Sequence, residues 1–309
     1  MMSGLGSVGR QTSDVIALYQ SIPSPSSGVV EIVGVSLHMY GLMIALGVYA
    51  AVAITTSRYR ARGGNADHVF TVALWSIPAG IIGARLYHVA TDWRSFRGRW
   101  GDVVKIWEGG LGVWGGVALG TLVGVVVVRR IGADLSKFLA ACAVGIPVAQ
   151  AIGRVGNWWN QELFGRPTSL PWGLEIDERF RPAEYVSFTT FHPTFLYEAT
   201  WCLLVATLVV VVQRRWNIFD GRLFASYVAL YTFGRFWIER VRIDDASMIG
   251  PFRINELVSL LVFVGAVICL VLPTLRQRRA ARAVAAAEQS DQSEPSDQAD
   301  QSLSPSESE

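Results

Sequence analysis

The chain has 309 residues, of which 51% are hydrophobic and only 17% charged, and its mean hydropathy is +0.34. That balance excludes an ordinary soluble domain of this length and predicts a polytopic membrane protein, one with no call for a nucleic-acid partner. The formal charge of +2 hides an asymmetry, because Glu288, Asp291, Glu294, Asp297, Asp300, Glu307 and Glu309 share one tail and leave the rest of the chain distinctly basic.

The first thirty residues are rich in Ser, Pro and Gly and contain no apolar core of a cleaved signal. Seven apolar stretches of about 20 residues follow, the length needed to span a bilayer: 35–55, 69–90, 111–128, 138–158, 194–212, 223–238 and 254–272. The fold class expected is therefore an all-α polytopic membrane protein with seven transmembrane helices. Basic groups at Arg58, Arg60 and Arg62, at Arg129, Arg130 and Lys137, at Arg214, Arg215 and Arg222, and at Arg276 to Arg282 fall on one side of such a path. The positive-inside rule makes that side cytoplasmic, with the N-terminus outside and the C-terminus inside. The organisation expected is an extracytoplasmic segment 1–34, a membrane domain 35–275 with an extracytoplasmic loop 159–193, and a basic, then acidic and disordered cytoplasmic tail 276–309.

The outer face is not free of arginine, for Arg94, Arg97, Arg99, Arg166, Arg179, Arg181, Arg240, Arg242 and Arg253 lie there. Such an excess suits a site for anionic headgroups in the outer half of the bilayer. The first span opens with His38-Met39-Tyr40-Gly41, and the second carries Arg85, which is free to snorkel toward the interface. In the third, Gly112, Gly116, Gly120 and Gly124 recur at spacing four, a ridge that lets another helix approach closely. The cluster Gly109–Gly116 serves equally well as a packing surface or as a backbone wall beside a ligand.

The polar groups concentrate in GRVGNWWNQELFG, Gly153–Gly165, at the end of an apolar run. In hydrocarbon such groups are costly unless they face a cavity or a polar partner. At helical spacing Arg154, Asn157 and Gln161 share a face, which would present a guanidinium and two amides to one ligand. The fifth span begins His192-Pro193 and holds Glu198 one turn inside, a carboxylate that needs a partner there. In the sixth, Tyr231, Arg235, Glu239 and Arg242 form a polar stripe. There is no HExxH, GxSxG or paired-aspartate pattern, and the four histidines are scattered, so no metal or other cofactor is expected. The three cysteines, Cys142, Cys202 and Cys269, lie singly in apolar runs and read as packing residues. Arginines, amides and tyrosines on one side suit bidentate grip of a phosphate, and the substrate class they imply is a lipid phosphate.

These residues carry a family resemblance. GRVGNWWNQELFG resembles the G-R-x-G-N-F-x-N-x-E-x-x-G signature of the prolipoprotein diacylglyceryl transferases, with Trp158 standing for the phenylalanine. HMYG at 38–41, GARLYHV at 83–89, WEGGLGVWGG at 107–116, HPTFLYE at 192–198 and GRFWIERVR at 234–242 extend it in order across 35–272. The resemblance implies transfer of the diacylglyceryl group of phosphatidylglycerol to the lipobox cysteine thiol of a prolipoprotein, with glycerol phosphate leaving and a thioether formed. The partners it implies are phosphatidylglycerol, prolipoprotein signal peptides and membrane lipids. The place it implies is the bacterial plasma membrane, with the site toward the extracytoplasmic leaflet.

On that mapping Arg154 and Asn157 hold the headgroup and Arg235 neutralises the developing phosphate charge. Glu162 and Glu239 orient the arginines, Tyr40 lines the cavity and Gly165 closes the signature turn. Asn160 and Arg242 complete the expected substrate-binding set. Where many members have a histidine in the glycine-rich segment, this chain has Trp114, which leaves Tyr40, His38 and His192 as unranked candidates for the group that takes the thiol proton. The segment before the signature also lacks an acidic residue that some relatives carry. From the residues alone, an anionic-lipid transporter and a scaffold whose arginines merely pair with Glu162, Glu198 and Glu239 stay open.

Overall fold

The structure is a computed structural model and describes residues 21–32, 34–106 and 109–272. Seven long helices are seen: α1 Met39–Arg60, α2 Ala66–Thr91, α3 Val113–Arg130, α4 Leu135–Asn160, α5 Thr194–Trp216, α6 Gly221–Glu239 and α7 Ile254–Leu272. Six of them are long and apolar enough to cross a membrane. The exception is α6, whose Arg222, Arg235 and Glu239 lower its mean hydropathy. The expected first span starts four residues late, because Val35–His38 pairs as a strand before the helix begins. The basic and acidic tail 276–309, and the first 20 residues of the N-terminal segment, lie outside the described residues.

Local chemistry marks the helix ends. Asn65 caps α2 by accepting from Asp67 N–H, Asp134 caps α4 by accepting from Ser136 and Lys137, and Asp220 caps α6 through Arg222. Each supplies an oxygen to an amide that the helix itself leaves unpaired. The same Asp220 carboxylate holds the Arg222 side chain, and that hydrogen bond keeps it below the usual carboxylate range. The left-handed residues Gln161 and Asn217 terminate α4 and α5, as residues at a helix C-terminus often do.

Helix α4 is the axis of the bundle and packs against α1, α5 and α6. Small residues make this possible. A Cβ on Gly145 would stand 2.7 Å from the Ala51 carbonyl oxygen, and one on Gly47 would stand 3.0 Å from that of Ala149. Ala140, Ala143, Val144, Val205, Val209, Leu223 and Tyr227 form the main apolar core. Large apolar side chains such as Leu74, Trp75, Leu122, Leu203 and Leu261 remain exposed around the outside, a distribution suited to acyl chains rather than water.

Helices α2 and α3 form a second, tightly coupled pair. Gly83 and Gly115 meet backbone to backbone, and Gly112 N–H donates to the Ala84 carbonyl at 2.8 Å. The described part of the glycine cluster is thus a helix-packing surface. Arg85 does not snorkel: it is 8% exposed and donates to the carbonyls of Val103, Gly109 and Gly110 at 2.7–3.0 Å and to that of Asp102. It fastens the short helical turns Trp93–Phe96 and Trp100–Val104 onto α2.

The C-terminal ends of α1, α3 and α5 carry Arg58, Arg60, Arg129, Arg130, Arg214 and Arg215, and Arg62 stacks over Phe219 at 4.6 Å. At the other end of α4 sits a cap. A three-stranded sheet orders β1 (Ser21–Ile22), β4 (Gly173–Glu175) and β5 (Thr190–Phe191), with β1 parallel and β5 antiparallel to β4. The hairpin of β2 (Val29–Ile32) and β3 (Val35–His38) leads into α1, and that of β6 (Met248–Ile249) and β7 (Phe252–Arg253) leads into α7. Phe164, Leu174, Ile176 and Phe191 form the cap's own core, so the long loop is ordered, as its turns and aromatics predict.

The α2–α3 contact yields a prediction. Gly83→Leu forces a side chain into the Gly115 backbone and costs about 1–3 kcal/mol or more, read as a lower unfolding temperature in detergent. Gly80→Ala, whose Cβ meets Gly116 O at an ordinary 3.5 Å, leaves that temperature unchanged.

Candidate active site

The polar groups of α4, α5 and α6 converge just beneath the cap. Arg154 on α4 sends Nε to Glu198 Oε2 on α5 at 3.0 Å, and Arg235 on α6 reaches the other oxygen of the same carboxylate at 3.5 Å. Glu198 is 3% exposed. A carboxylate at this depth is costly without opposite charge, and here two guanidiniums from different helices share one.

The cluster continues toward the cap. Glu239, fully buried, pairs through Oε2 with Arg235. Its Oε1 accepts from Arg253 Nε at 2.9 Å and from Asn255 Nδ2 at 3.1 Å, while Arg242 stands 3.9 Å from Oε2. Asp244 then accepts from Arg242 at 2.7 and 2.9 Å and pairs with Arg253 at 3.1 Å. Four guanidiniums, of Arg154, Arg235, Arg242 and Arg253, thus face three carboxylates, of Glu198, Glu239 and Asp244. Glu162, reached from Arg154 through Asn157, brings the carboxylates to four, so the connected cluster is balanced in charge.

Toward α1 the cluster runs through an amide to a fourth carboxylate, Glu162. Arg154 Nη1 donates to Asn157 Oδ1 at 3.2 Å, and Asn157 Nδ2 donates to Glu162 Oε1 at 2.7 Å. Tyr40 stands beside the Asn157 side chain, within electrostatic reach of Arg154 and Glu162. Its ring lies against Gly156, where a Cβ would come within 2.7 Å of Tyr40 Cδ2. That glycine therefore lets the tyrosine reach the amide. Tyr231 is within the same electrostatic reach of Glu198, Arg154 and Arg235.

Arg154, Asn157, Glu162, Tyr40, Arg235, Glu239 and Arg242 form one connected set. Glu162 meets Arg154 only through Asn157. Asn160 points elsewhere: its Oδ1 lies against Gly28 of the N-terminal segment. Gly165 shapes the cap, where it bridges Arg242 and donates its N–H to the His192 carbonyl at 2.9 Å. A Cβ there would meet His192 Cβ and Val241 Cγ1 at 2.8 Å. Gln161 leaves the shared face because the helix ends at Asn160 and Gln161 turns left-handed, φ 51°. Its amide then holds Pro25 O at 2.8 Å and Asp177 at 2.9 Å, and its oxygen accepts from Asp177 N–H. It is a cap residue and does not share the face of Arg154 and Asn157.

Of the three candidates for the thiol proton, Tyr40 alone joins the set. His38 sits exposed at the junction of β3 and α1, with no side-chain hydrogen bond to another described residue. His192 Nδ1 lies 3.0 Å from Tyr197 Oη, which also accepts from Trp172 Nε1. Burial and then the nearby Arg166 push the His192 imidazole below its usual range, so it is neutral at pH 7 and tied to the cap. Trp114, at the start of α3, is 43% exposed.

The residue sets read from sequence lack Glu198 as the shared partner of both arginines, and they lack Arg253, Asp244 and Asn255. A signal for Glu198 exists, since a carboxylate one turn inside a span must be paired. Arg253 and Asn255 flank the start of α7 and join the site only because β6–β7 folds that start against Glu239. Other arginines that the sequence places on the arginine-rich cap side are engaged with the protein: Arg179 holds Ser26 O, Arg181 holds Ile176 O and Val186 O, and Arg97 stacks on Trp93.

A sequence model of the family described as prolipoprotein diacylglyceryl transferase matches residues 27–272. The phosphatidylglycerol–prolipoprotein diacylglyceryl transferase of Cutibacterium acnes is 49% identical over 267 residues, 85% of this chain and 90% of that protein. The enzyme of that name numbered 2 in Streptomyces coelicolor is 48% identical over 259 residues, covering 83% and 82%. That of Frankia alni is 50% identical over 257 residues, covering 82% and 68%. A match spanning every helix and the whole polar cluster permits one conclusion: this chain belongs to the prolipoprotein diacylglyceryl transferase family.

Proposed function

We propose that this chain carries out the reaction its family is named for, transferring the diacylglyceryl group of phosphatidylglycerol to the lipobox cysteine of a prolipoprotein, and that the Arg154–Glu198–Arg235 cluster is where it does so. The observation that carries the site is the sharing of Glu198 by two guanidiniums from separate helices. An arrangement that binds no anion would gain more from apolar side chains, because replacing a buried ion pair by packed hydrophobic residues is often neutral or stabilising. The scaffold reading leaves unexplained the buried Arg235 Nη1, which has no hydrogen-bond partner among the described residues.

In the reaction the cysteine sulfur attacks the glyceryl carbon that bears the phosphate. The carbon–oxygen bond breaks, its electron pair goes to the phosphate oxygen, and glycerol phosphate leaves as the thioether forms. Arg154 and Asn157 grip the phosphate and the headgroup glycerol, with Tyr40 closing the α1 side. Arg235 meets the charge that grows on the leaving phosphate, the electrostatic contribution that a preorganised dry site makes largest. Glu198 and Glu239 hold both guanidiniums in place, so the charge is aimed before the substrate arrives. The attacking form is the thiolate, and adjacent guanidinium charge lowers a thiol's pKa. Within this set Tyr40 is the group placed to receive the thiol's proton while its hydroxyl releases its own, and Glu162, a carboxylate within electrostatic reach of Tyr40, is the final acceptor.

All seven helices cross the membrane on this reading, α6 included, because its polar residues face Glu198 and Arg253 rather than acyl chains. The N-terminus and the cap then lie outside, and the arginine-rich ends of α1, α3 and α5 lie in the cytoplasm. The domain limits follow: 1–34 outside, a membrane domain 35–275 with loop 159–193 over the site, and a cytoplasmic tail 276–309. The donor lipid enters from the outer leaflet of the bacterial plasma membrane.

Purified protein given phosphatidylglycerol and a lipobox peptide should yield a diacylglyceryl thioether peptide, detected by mass spectrometry; well-folded protein that yields none contradicts the transferase reading. Arg154→Ala and Arg235→Ala should each lower turnover by at least about 10²–10³, the size of one lost charge-stabilising donor, while Trp114→Phe retains most of it. Complete inactivity of a folded Trp114→Phe protein would move the chemistry to the start of α3. In intact cells, Ser187→Cys should react with a membrane-impermeant maleimide and Arg130→Cys should not; the reverse labelling inverts the topology.

A further inference from the structure

Beside the arginine cluster, on the cap side, lies a cleft of about 740 Å³ between the N-terminal segment, the end of α4, the turns at Glu178–Tyr185 and Ile243–Asp245. Carboxylates outnumber guanidiniums in its lining, Glu162, Glu184, Asp244 and Asp245 against Arg179 and Arg181. Of the guanidiniums that line it, Arg179 pairs with Asp177 at 3.4 Å and holds Ser26 O at 2.8 Å, and Arg181, which keeps its charge, is turned onto Ile176 O at 2.8 Å. Asp244 is likewise occupied by Arg242 and Arg253. What the cleft offers a ligand is mainly carboxylate: Glu184 and Asp245 stand exposed in its lining with no side-chain partner among the described residues, and Glu162, half-buried, lines it as well. An anionic lipid headgroup is repelled by such a wall, whereas backbone N–H groups and cationic side chains are matched by it.

The two regions touch at one point. Glu162 lines the cleft and accepts from Asn157, whose oxygen accepts from Arg154. A ligand in the cleft is thus two hydrogen bonds from the guanidinium assigned to the donor phosphate. The volume falls in the range of cavities that enclose a ligand-sized segment, enough for a few residues of extended chain.

We propose that this cleft seats the acceptor polypeptide, specifically the few residues that follow the reactive cysteine, and that its carboxylates favour neutral or cationic residues there over acidic ones. This rests on the transferase reading. The donor lies on the guanidinium side and the acceptor on the carboxylate side, with the Asn157–Glu162 hydrogen bond marking the border. A thiol held at that border faces the phosphate-bearing carbon, while the chain beyond it leaves through the cap to the aqueous side.

The test compares two lipobox peptides that differ only in the pair of residues after the cysteine, Lys-Lys in one and Glu-Glu in the other, on the full-length protein in phosphatidylglycerol-containing micelles. The unaltered protein should show the lower KM for the lysine peptide. In the double variant Glu184→Arg, Asp245→Arg the KM for the lysine peptide should rise roughly tenfold, the scale of reversing two partly exposed charge contacts, and that for the glutamate peptide should fall. The fall also shows the variant to be folded, and the KM for phosphatidylglycerol should not move. An identical peptide preference in both proteins overturns the cleft assignment and leaves the transferase reading standing. No product from the unaltered protein with either peptide overturns the transferase reading, and this inference with it.

Discussion

Glu198 is the constraint around which the polar interior is built. Its carboxylate is almost wholly removed from water, so it must be met by positive charge, and it is met twice, by Arg154 from α4 and by Arg235 from α6. Each arginine is in turn fixed a second time, Arg154 by Asn157 and Arg235 by Glu239. Three helices are therefore held in a common register by paired charge, and the guanidiniums cannot drift apart without leaving a carboxylate bare. Breaking a buried pair of this kind costs about 3–5 kcal/mol, which is why the arrangement stays fixed while no substrate is present.

The helices around this cluster obey a different rule. In hydrocarbon there is no water to expel between helices, so association rests on close contact and on satisfied backbone groups. Gly145 and Gly47 bring α4 and α1 together, and Gly83 and Gly115 do the same for α2 and α3. Arg85 belongs to this second economy. Its donors end on backbone carbonyls of the 102–110 segment, so an arginine that looks functional by depth is the fastening of an irregular loop.

The cap imposes the third condition. Gly165 sits where two chain segments meet, bridging Arg242 and touching His192, and that contact draws the end of α6 over the mouth of the cluster. Gln161 and Leu163, both left-handed at φ 51° and 59°, reverse the chain after α4 so that Glu162 faces back toward Asn157. The signature segment is hence two devices in succession: a helical turn that presents Arg154 and Asn157, and a left-handed turn that returns a carboxylate to them.

Much of this was legible in the residues themselves. Apolar runs of spanning length place the helices, because a bilayer demands about 20 residues of hydrocarbon-compatible chain per crossing. Intramembrane arginines and glutamates mark the polar cluster, because such groups are too costly to bury without partners. Periodicity goes no further than one helix, however. It correctly aligns Arg154 with Asn157 and Arg235 with Glu239, yet it extends the face of α4 to Gln161, where a left-handed residue has already ended the helix. It also has no means of joining Arg253, at the start of α7, to a glutamate at the end of α6. Which residues are costly to bury is a property of each side chain and is written in the chain's order. Which of them pay one another back depends on distances across helices, and those are set only when glycine contacts, the cap and the shared Glu198 bring the helices to one place.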